Sequence, residues 1–219
     1  MGITPRWPLD DAPSGGAGVD RVPEKVSDQL EGWLSGEGAK TLDSLIGLFG
    51  GKSFALLFVL LLGVPALPLP TGGATHVFEV IAMLLALQLI VGRHAIWLPE
   101  RWRRIELAGP RQQRFLAGLM KLIRRLERVS KPRLRFLFAH RLSDTVFGLL
   151  VLGGSIAAFL APPFTGLDTL PSLGVVVLAI AVLLEDALIA LAALVLGAAG
   201  VVLEIVLGNA ALGGIESLF

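Results

Sequence analysis

The chain has 219 residues, no Cys, 54% apolar residues and only 17% charged ones. Its mean hydropathy is +0.74. A soluble domain carries about 45–50% apolar and about 25% charged residues, so lipid is the expected surroundings, and disorder is excluded for most of the chain. The lack of Cys excludes disulfide scaffolds, zinc-thiolate sites, iron–sulfur clusters and thiol catalysis.

Residues 1–22 read as a disordered tail, with Pro5, Pro8, Pro13 and the run Ser14-Gly15-Gly16-Ala17-Gly18. They lack a basic region followed by an apolar core, so no cleavable signal peptide is expected. Residues 23–52 predict two short amphipathic helices. Pro23 suits a first helical turn, and Val26, Leu30, Trp33 and Leu34 then share one face. Gly36 and Gly38 interrupt. Thr41 can cap a second helix carrying Leu42, Leu45, Ile46 and Phe49 on one side.

Residues 53–92 form a first membrane half. Phe54 to Phe78 contains no Asp, Glu, Lys or Arg, yet Pro65, Pro68 and Pro70 cut it, and Gly72-Gly73 follow. Proline inside a helix removes a donor and clashes one turn back, and lipid offers no water to the freed carbonyls. Two forms remain open: a helix ending near Pro65 with an irregular tail, or a re-entrant hairpin buried in protein. A second apolar run spans Val77 to Val91, with Glu79 near its start and Gln88 near its end.

Residues 93–143 form a basic linker. Positions 93–141 hold fourteen of the 19 Lys and Arg residues against three acids, Glu100, Glu106 and Glu127, a net charge of +11. Pro110 opens a helix and Pro132 closes it. Phe115, Leu119, Leu122, Leu126 and Val129 repeat at spacings of 4, 3, 4 and 3. An apolar stripe opposite a basic face is the pattern of a helix lying in the membrane interface. The positive-inside rule puts this linker in the cytoplasm, where anionic headgroups attract each basic residue by about 1 kcal/mol. Trp and Leu interleaved with the charges favour membrane lipids over nucleic acid.

Residues 144–219 form the second membrane half. Residues 145–167 carry no charge and include Pro162-Pro163-Phe164-Thr165-Gly166. After Asp168 and Pro171 comes the apolar run Leu173 to Leu184, which stops at Glu185-Asp186. A third run, Ala187 to Leu203, is rich in Ala and Gly, which lets helices approach closely.

Shifted by 94 residues, Pro68-Leu69-Pro70-Thr71-Gly72 falls on Pro162-Pro163-Phe164-Thr165-Gly166. Each half is then an apolar run, a proline break, a Thr-Gly turn and a second apolar run. Paired interrupted segments of this kind belong to transporters, whose broken helices line the site. Parallel and inverted halves both remain open, and coincidence of common proline-broken segments is the competing reading.

These residues resemble the ExoD family of bacterial exopolysaccharide-synthesis membrane proteins over roughly residues 25–208. The likeness rests on Gly50-Gly51-Lys52-Ser53-Phe54, on Pro65-Ala66-Leu67-Pro68-Leu69-Pro70, and on Gln88-Leu89-Ile90-Val91-Gly92-Arg93 followed by Trp97-Leu98-Pro99. Arg125-Leu126-Glu127-Arg128, Lys131-Pro132-Arg133 and Leu184-Glu185-Asp186-Ala187 complete it. The resemblance implies a multi-pass protein of the bacterial inner membrane connected to exopolysaccharide production. It carries over no catalytic residues.

Enzyme signatures are missing. There is no Walker-type Gly loop and no Gly-x-Ser-x-Gly elbow, and His76, His94 and His140 lack metal-ligand spacing. A non-enzyme with no cofactor and no metal is expected. Ionisable residues inside apolar runs cost at least a few kcal/mol each in a bilayer, so Glu79, Asp168, Glu185, Asp186 and Glu204 are candidates for an ion relay, with Gln88 as a polar neighbour. For Glu185 and Asp186 the competing role is a helix end or an ion pair with Arg93. For Asp168 it is a loop cap. Arg93, Arg101, Arg103 and Arg104 flank Trp97 and Trp102 and could hold a lipid phosphate bidentately.

The expectation is an all-α integral membrane protein. Its two related halves have proline-broken or re-entrant helices and are joined by a basic amphipathic interfacial helix. Its expected function is a transporter-like component supporting exopolysaccharide synthesis. The alternative is a non-transporting lipid-binding or assembly partner that handles a polyprenyl-phosphate carrier. A homodimer is expected, with anionic lipids and exopolysaccharide biosynthesis proteins as partners.

Overall fold

The computed structural model describes residues 25–67, 75–93, 96–104, 106–107, 109–130, 141–161 and 167–216. The helices are α1 (Val26–Ser35), α2 (Leu42–Phe49), α3 (Ser53–Leu62), α4 (Thr75–Ile90), α5 (Glu100–Arg103), α6 (Pro110–Val129), α7 (Arg141–Leu160), α8 (Thr169–Leu184) and α9 (Ala187–Glu216). Among the described residues the only extended pairing is an isolated bridge between Thr41 and Glu106.

Local chemistry accounts for the helix ends. Thr41 caps α2 through a reciprocal pair of bonds with Ser44. Gly50 then takes φ 49°, which lets a short 3₁₀ turn lead from α2 into α3. Pro110 occupies the first turn of α6, where its missing N–H is not needed. Past Leu62 the chain leaves α3 through turns that include Pro65. At 1.5 Å per residue α3 rises only about 15 Å, half of a hydrocarbon core.

The apolar helices form a ring of four. α3 packs on α8, α4 on α7, and each hairpin closes on itself, α3 against α4 and α7 against α8. α9 lies along α8. The neighbours α4 and α7 run antiparallel. Gly148 meets Ile90 at one end and Phe159 meets His76 at the other. Likewise Lys52, just before α3, reaches Glu185, just after α8. Both hairpins therefore begin and return at one end of the bundle, the end from which the basic linker leaves and to which it comes back.

Burial divides the helices by role. Eight of the ten residues of α3 and ten of the sixteen of α8 are buried, and none of the others is exposed, so these two form the core. α4 and α9 instead present apolar stripes outward: Val77, Val80, Leu84 and Leu87 on α4, and Leu188, Leu191, Val195, Val202 and Ile205 on α9. Patches of this extent are rare on soluble monomers and suit acyl chains. Among the described residues, three segments are long and apolar enough to cross a membrane: Leu42–Leu62, Leu142–Leu160 and Ala187–Ala210.

Without a hydrophobic drive between helices in lipid, close packing matters most. A Cβ on Gly174 of α8 would stand 2.5 Å from the Gly197 Cα of α9, and one on Gly200 would stand 2.8 Å from the Pro171 nitrogen. The small residues expected to let helices approach do so at this seam.

The basic helix α6 differs from expectation in its register. Its buried stripe is Leu116, Leu119 and Ile123, whereas Val129 is exposed and Phe115, Leu122 and Leu126 are half-buried. The stripe faces α1. The Phe115 ring also lies against Gly63 at the end of α3. Glu127 on α6 completes the pairing by accepting from the Ser27 backbone N–H at 3.0 Å and from its hydroxyl at 2.5 Å. It thereby serves a first-turn amide of α1, whose N-cap Lys25 supplies no side-chain bond. Arg124 adds an ion pair to Glu31.

Candidate functional site

Polar side chains collect at the two ends of the ring, and the two collections are built differently. At the linker end, α8 stops at Glu185, which adopts the left-handed conformation (φ 55°). Glycine is the usual residue in that conformation after a helix. Here Lys52 fastens the corner. Its Nζ lies 2.9 Å from Glu185 Oε1 and donates to the Leu183 carbonyl at 2.9 Å. A shallow cleft beside it is lined by Lys52, Leu89, Asp144, Phe147 and Glu185. Asp186 is buried, and its Oδ1 accepts from the Leu188 N–H at 2.9 Å, capping α9. The adjacent acids Glu185 and Asp186, both relay candidates from sequence, lie where the chain turns from α8 into α9. The cation beside Glu185 is Lys52, which the repeat register does not point to.

Gln88 also lies at this end. It accepts from the Trp97 N–H at 2.8 Å and donates to the Trp97 carbonyl at 3.2 Å. Both of its bonds hold the chain beyond α4 in place. Arg103 pairs with Asp43 on α2 at 2.5 Å and Arg104 with Glu100 at 2.6 Å. Two of the four arginines proposed for a lipid phosphate therefore have carboxylates beside them. Arg93 and Arg101 are exposed.

The far end holds a second group. On α4, His76 Nδ1 lies 2.7 Å from Glu79 Oε2. The pair sits at positions i and i+3, on one helix face. Glu79 is fully buried and His76 is 28% exposed. The second carboxylate oxygen of Glu79 is buried without a partner. Asp168, which heads α8, lies within electrostatic reach of both Glu79 and His76. Glu204 on α9 lies within reach of Asp168 and has its own buried oxygen without a partner. Asp168 occupies the N-cap position but makes no side-chain capping bond. Burial pushes its carboxyl above the usual carboxylate range, partly offset by backbone N–H groups and by His76.

Sequence reading passed over two residues here. Ser155 on α7 is buried and its hydroxyl has no partner. It lies one turn before Phe159, whose ring meets His76 with centroids 5.0 Å apart, and residues four apart share a helix face. The Gly148–Ile90 and Phe159–His76 contacts place Ser155 between the middle of α4 and its His76 end. His76 is the second, a residue that sequence spacing dismissed as a metal ligand. Its relation to Glu79 was visible as an i, i+3 pair.

The structure thus brings together His76, Glu79, Asp168 and Glu204 and separates them from Gln88, Glu185 and Asp186. Of the broken-helix residues, Pro65 lies in the turns after α3. Pro68, Pro70, Gly72, Pro162, Pro163, Thr165 and Gly166 lie outside the described residues, as do His94 and His140. Among the described residues, no three His, Asp or Glu groups converge closely enough to share a metal ion.

The family described as "Exopolysaccharide synthesis, ExoD" matches residues 26–206. The chain belongs to the ExoD family. Within curated proteins it is 28% identical to Protein ExoD of Rhizobium meliloti over 166 residues, which is 74% of this chain and 69% of that one. It is 29% identical over 148 residues to an uncharacterized Synechocystis protein, slr1875, covering 68% of this chain and 69% of that protein. No solved structure matches. The matched region runs from α1 into α9 and includes both ends of the ring. Membership in the family implies involvement in exopolysaccharide synthesis, and the apolar segments make the chain a membrane protein.

Proposed function

We propose that this ExoD-family protein supports exopolysaccharide synthesis as a transporter-like, multi-pass component of the bacterial inner membrane. The observation that carries the reading is the far end of the ring: Glu79 lies against His76, Asp168 is within electrostatic reach of both, and Glu204 is within reach of Asp168. Each such carboxyl costs several kcal/mol in a bilayer, and the fold gives Glu79 and Glu204 no capping or corner-holding task. Groups that expensive and without structural employment mark a pathway for an ion or a small polar solute. The short α3 and the pairing of each hairpin's first helix with the other's second agree with two related halves around a site.

Flux through liposomes containing the purified chain tests the reading. Glu79→Gln should abolish an ion- or pH-driven flux that the parent supports, and Glu185→Gln plus Asp186→Asn should leave it in place. A flux indifferent to Glu79, or none under any imposed gradient, would remove the transport reading and leave a membrane component without transport.

A further inference from the structure

The far-end group has a composition that selects among ions. A metal ion or sodium needs several oxygen or nitrogen ligands around one point. The described residues offer no such convergence. What they offer is one base pair in hydrogen-bond contact, His76 Nδ1 and Glu79 Oε2 at 2.7 Å, with one member fully buried and the other partly exposed. Two bases in contact suffice for a proton. We infer that the His76–Glu79 pair, flanked by Asp168 and Glu204, is a proton-binding site, and that the proton is the ion which the proposed transport moves or is driven by. The inference rests on the transporter-like reading for its second half only.

The chemistry balances without any further group. His76, reached from the far-end surface, takes up a proton and becomes an imidazolium. Its Nδ1–H then passes along the existing hydrogen bond to Glu79 Oε2. Imidazolium plus carboxylate becomes neutral imidazole plus carboxylic acid. The proton changes owner over a distance typical of charge-assisted hydrogen bonds, and histidine is the side chain suited to the exchange near neutral pH. Once protonated, Glu79 carries an O–H as well as acceptor oxygens. A neutral carboxyl is far cheaper to bury in an apolar interior than an unpaired carboxylate.

The electrostatic surroundings are sparse, which makes the site testable. α3 contributes no titratable residue between Ser53 and Leu62, and α7 none between Thr145 and Leu160. α8 contributes Asp168 at its head, and α9 contributes Glu204. Asp144 and Glu185 lie at the opposite end of their helices.

Infrared difference spectra of the purified full chain in detergent, recorded as pH is stepped across neutrality, read a protonated buried carboxyl directly through its carbonyl stretch. The expected result is a carbonyl band that grows as pH falls and has one component lost in Glu79→Gln, the remainder coming from carboxyls such as Asp168 and Glu204. Should that variant not fold, Glu79→Asp keeps a carboxyl one methylene shorter, and that component should persist at a displaced frequency. Asp168→Asn and His76→Gln should each keep that component and move its midpoint, because each alters a neighbouring charge. A band absent from the parent, or untouched by either Glu79 variant, would overturn the site. So would a midpoint indifferent to both neighbours. Repeating the titration in sodium and then in potassium adds one arm. A midpoint that falls by about one pH unit for each tenfold rise in either ion would give the site to that cation. A pH-dependent band with no flux would sink transport and spare the proton site. Flux with no band would do the reverse.

Discussion

The two ends of the helical ring hold acids of the same type in opposite circumstances. At the linker end Glu185 has Lys52 at 2.9 Å, and Asp186 has the first-turn amides of α9. At the far end Glu79 has one partner for two oxygens, and Glu204 has an oxygen with none. The linker-end acids hold helix ends in place. Glu79 and Glu204 hold no helix end, and Asp168 heads α8 without a side-chain capping bond. An acid interrupting a greasy run is therefore a poor guide to function until its partners are known. The pair of adjacent acids, conspicuous in sequence, turns a corner, while the isolated ones meet across three helices.

The sharpest way to break this contrast is to neutralise one acid at each end. Glu79→Gln should eliminate flux in liposomes while the detergent-solubilised protein unfolds at the same temperature or higher, since a buried charge is removed and the amide can still bond His76. If instead Asp186→Asn eliminates flux and Glu79→Gln does not, the assignment of the two ends is reversed. Next in size is Lys52→Met. It removes a charged donor from Glu185 and from the last carbonyls of α8, and it should lower stability by about 2 kcal/mol, read as an earlier thermal transition, with flux per folded molecule preserved.

Asp186→Ala should cost about 1 kcal/mol, the usual loss of an N-cap, whereas Asp186→Asn should cost little because Asn caps equally well. Thermal unfolding of the two variants side by side separates a cap from a charge. Asp168→Asn tests the sign of burial at the far end. The folded Asp168 carboxyl holds its proton to higher pH than an unfolded one. Its burial therefore opposes folding once the pH has risen through the folded pKa, and this opposition is absent below the unfolded value. The amide should accordingly raise the melting temperature at neutral pH, with the advantage shrinking as pH falls into the acidic range. Smallest of all is Glu185→Gly. Relief of the left-handed strain, on the order of 1 kcal/mol, is offset by loss of the Lys52 pair, so the transition should move little.

Much of the local structure was legible because it depends on neighbours in the chain. Thr41 announces the α2 cap and Pro110 the start of α6, each through backbone chemistry within one turn. The all-round apolar runs announce membrane helices, and the Gly-rich last run announces the close seam at Gly174 and Gly197. The stripe on α6 was misread by a fraction of a turn. The residues that face α1 are fixed by α1 itself, through Glu127 reaching Ser27 across a hundred positions, and periodicity alone cannot supply that rotation.

By itself the sequence determined that this is a helical protein made for lipid, in which basic residues gather in one linker and acids are sparse within the apolar runs. Composition and short-range periodicity control those properties. Only the tertiary structure decided which acids come together. Glu79, Asp168 and Glu204 lie on α4, at the head of α8 and on α9, and only their packing brings them to one end. A buried charge takes its meaning from groups within a few ångströms, most of which are remote along the chain.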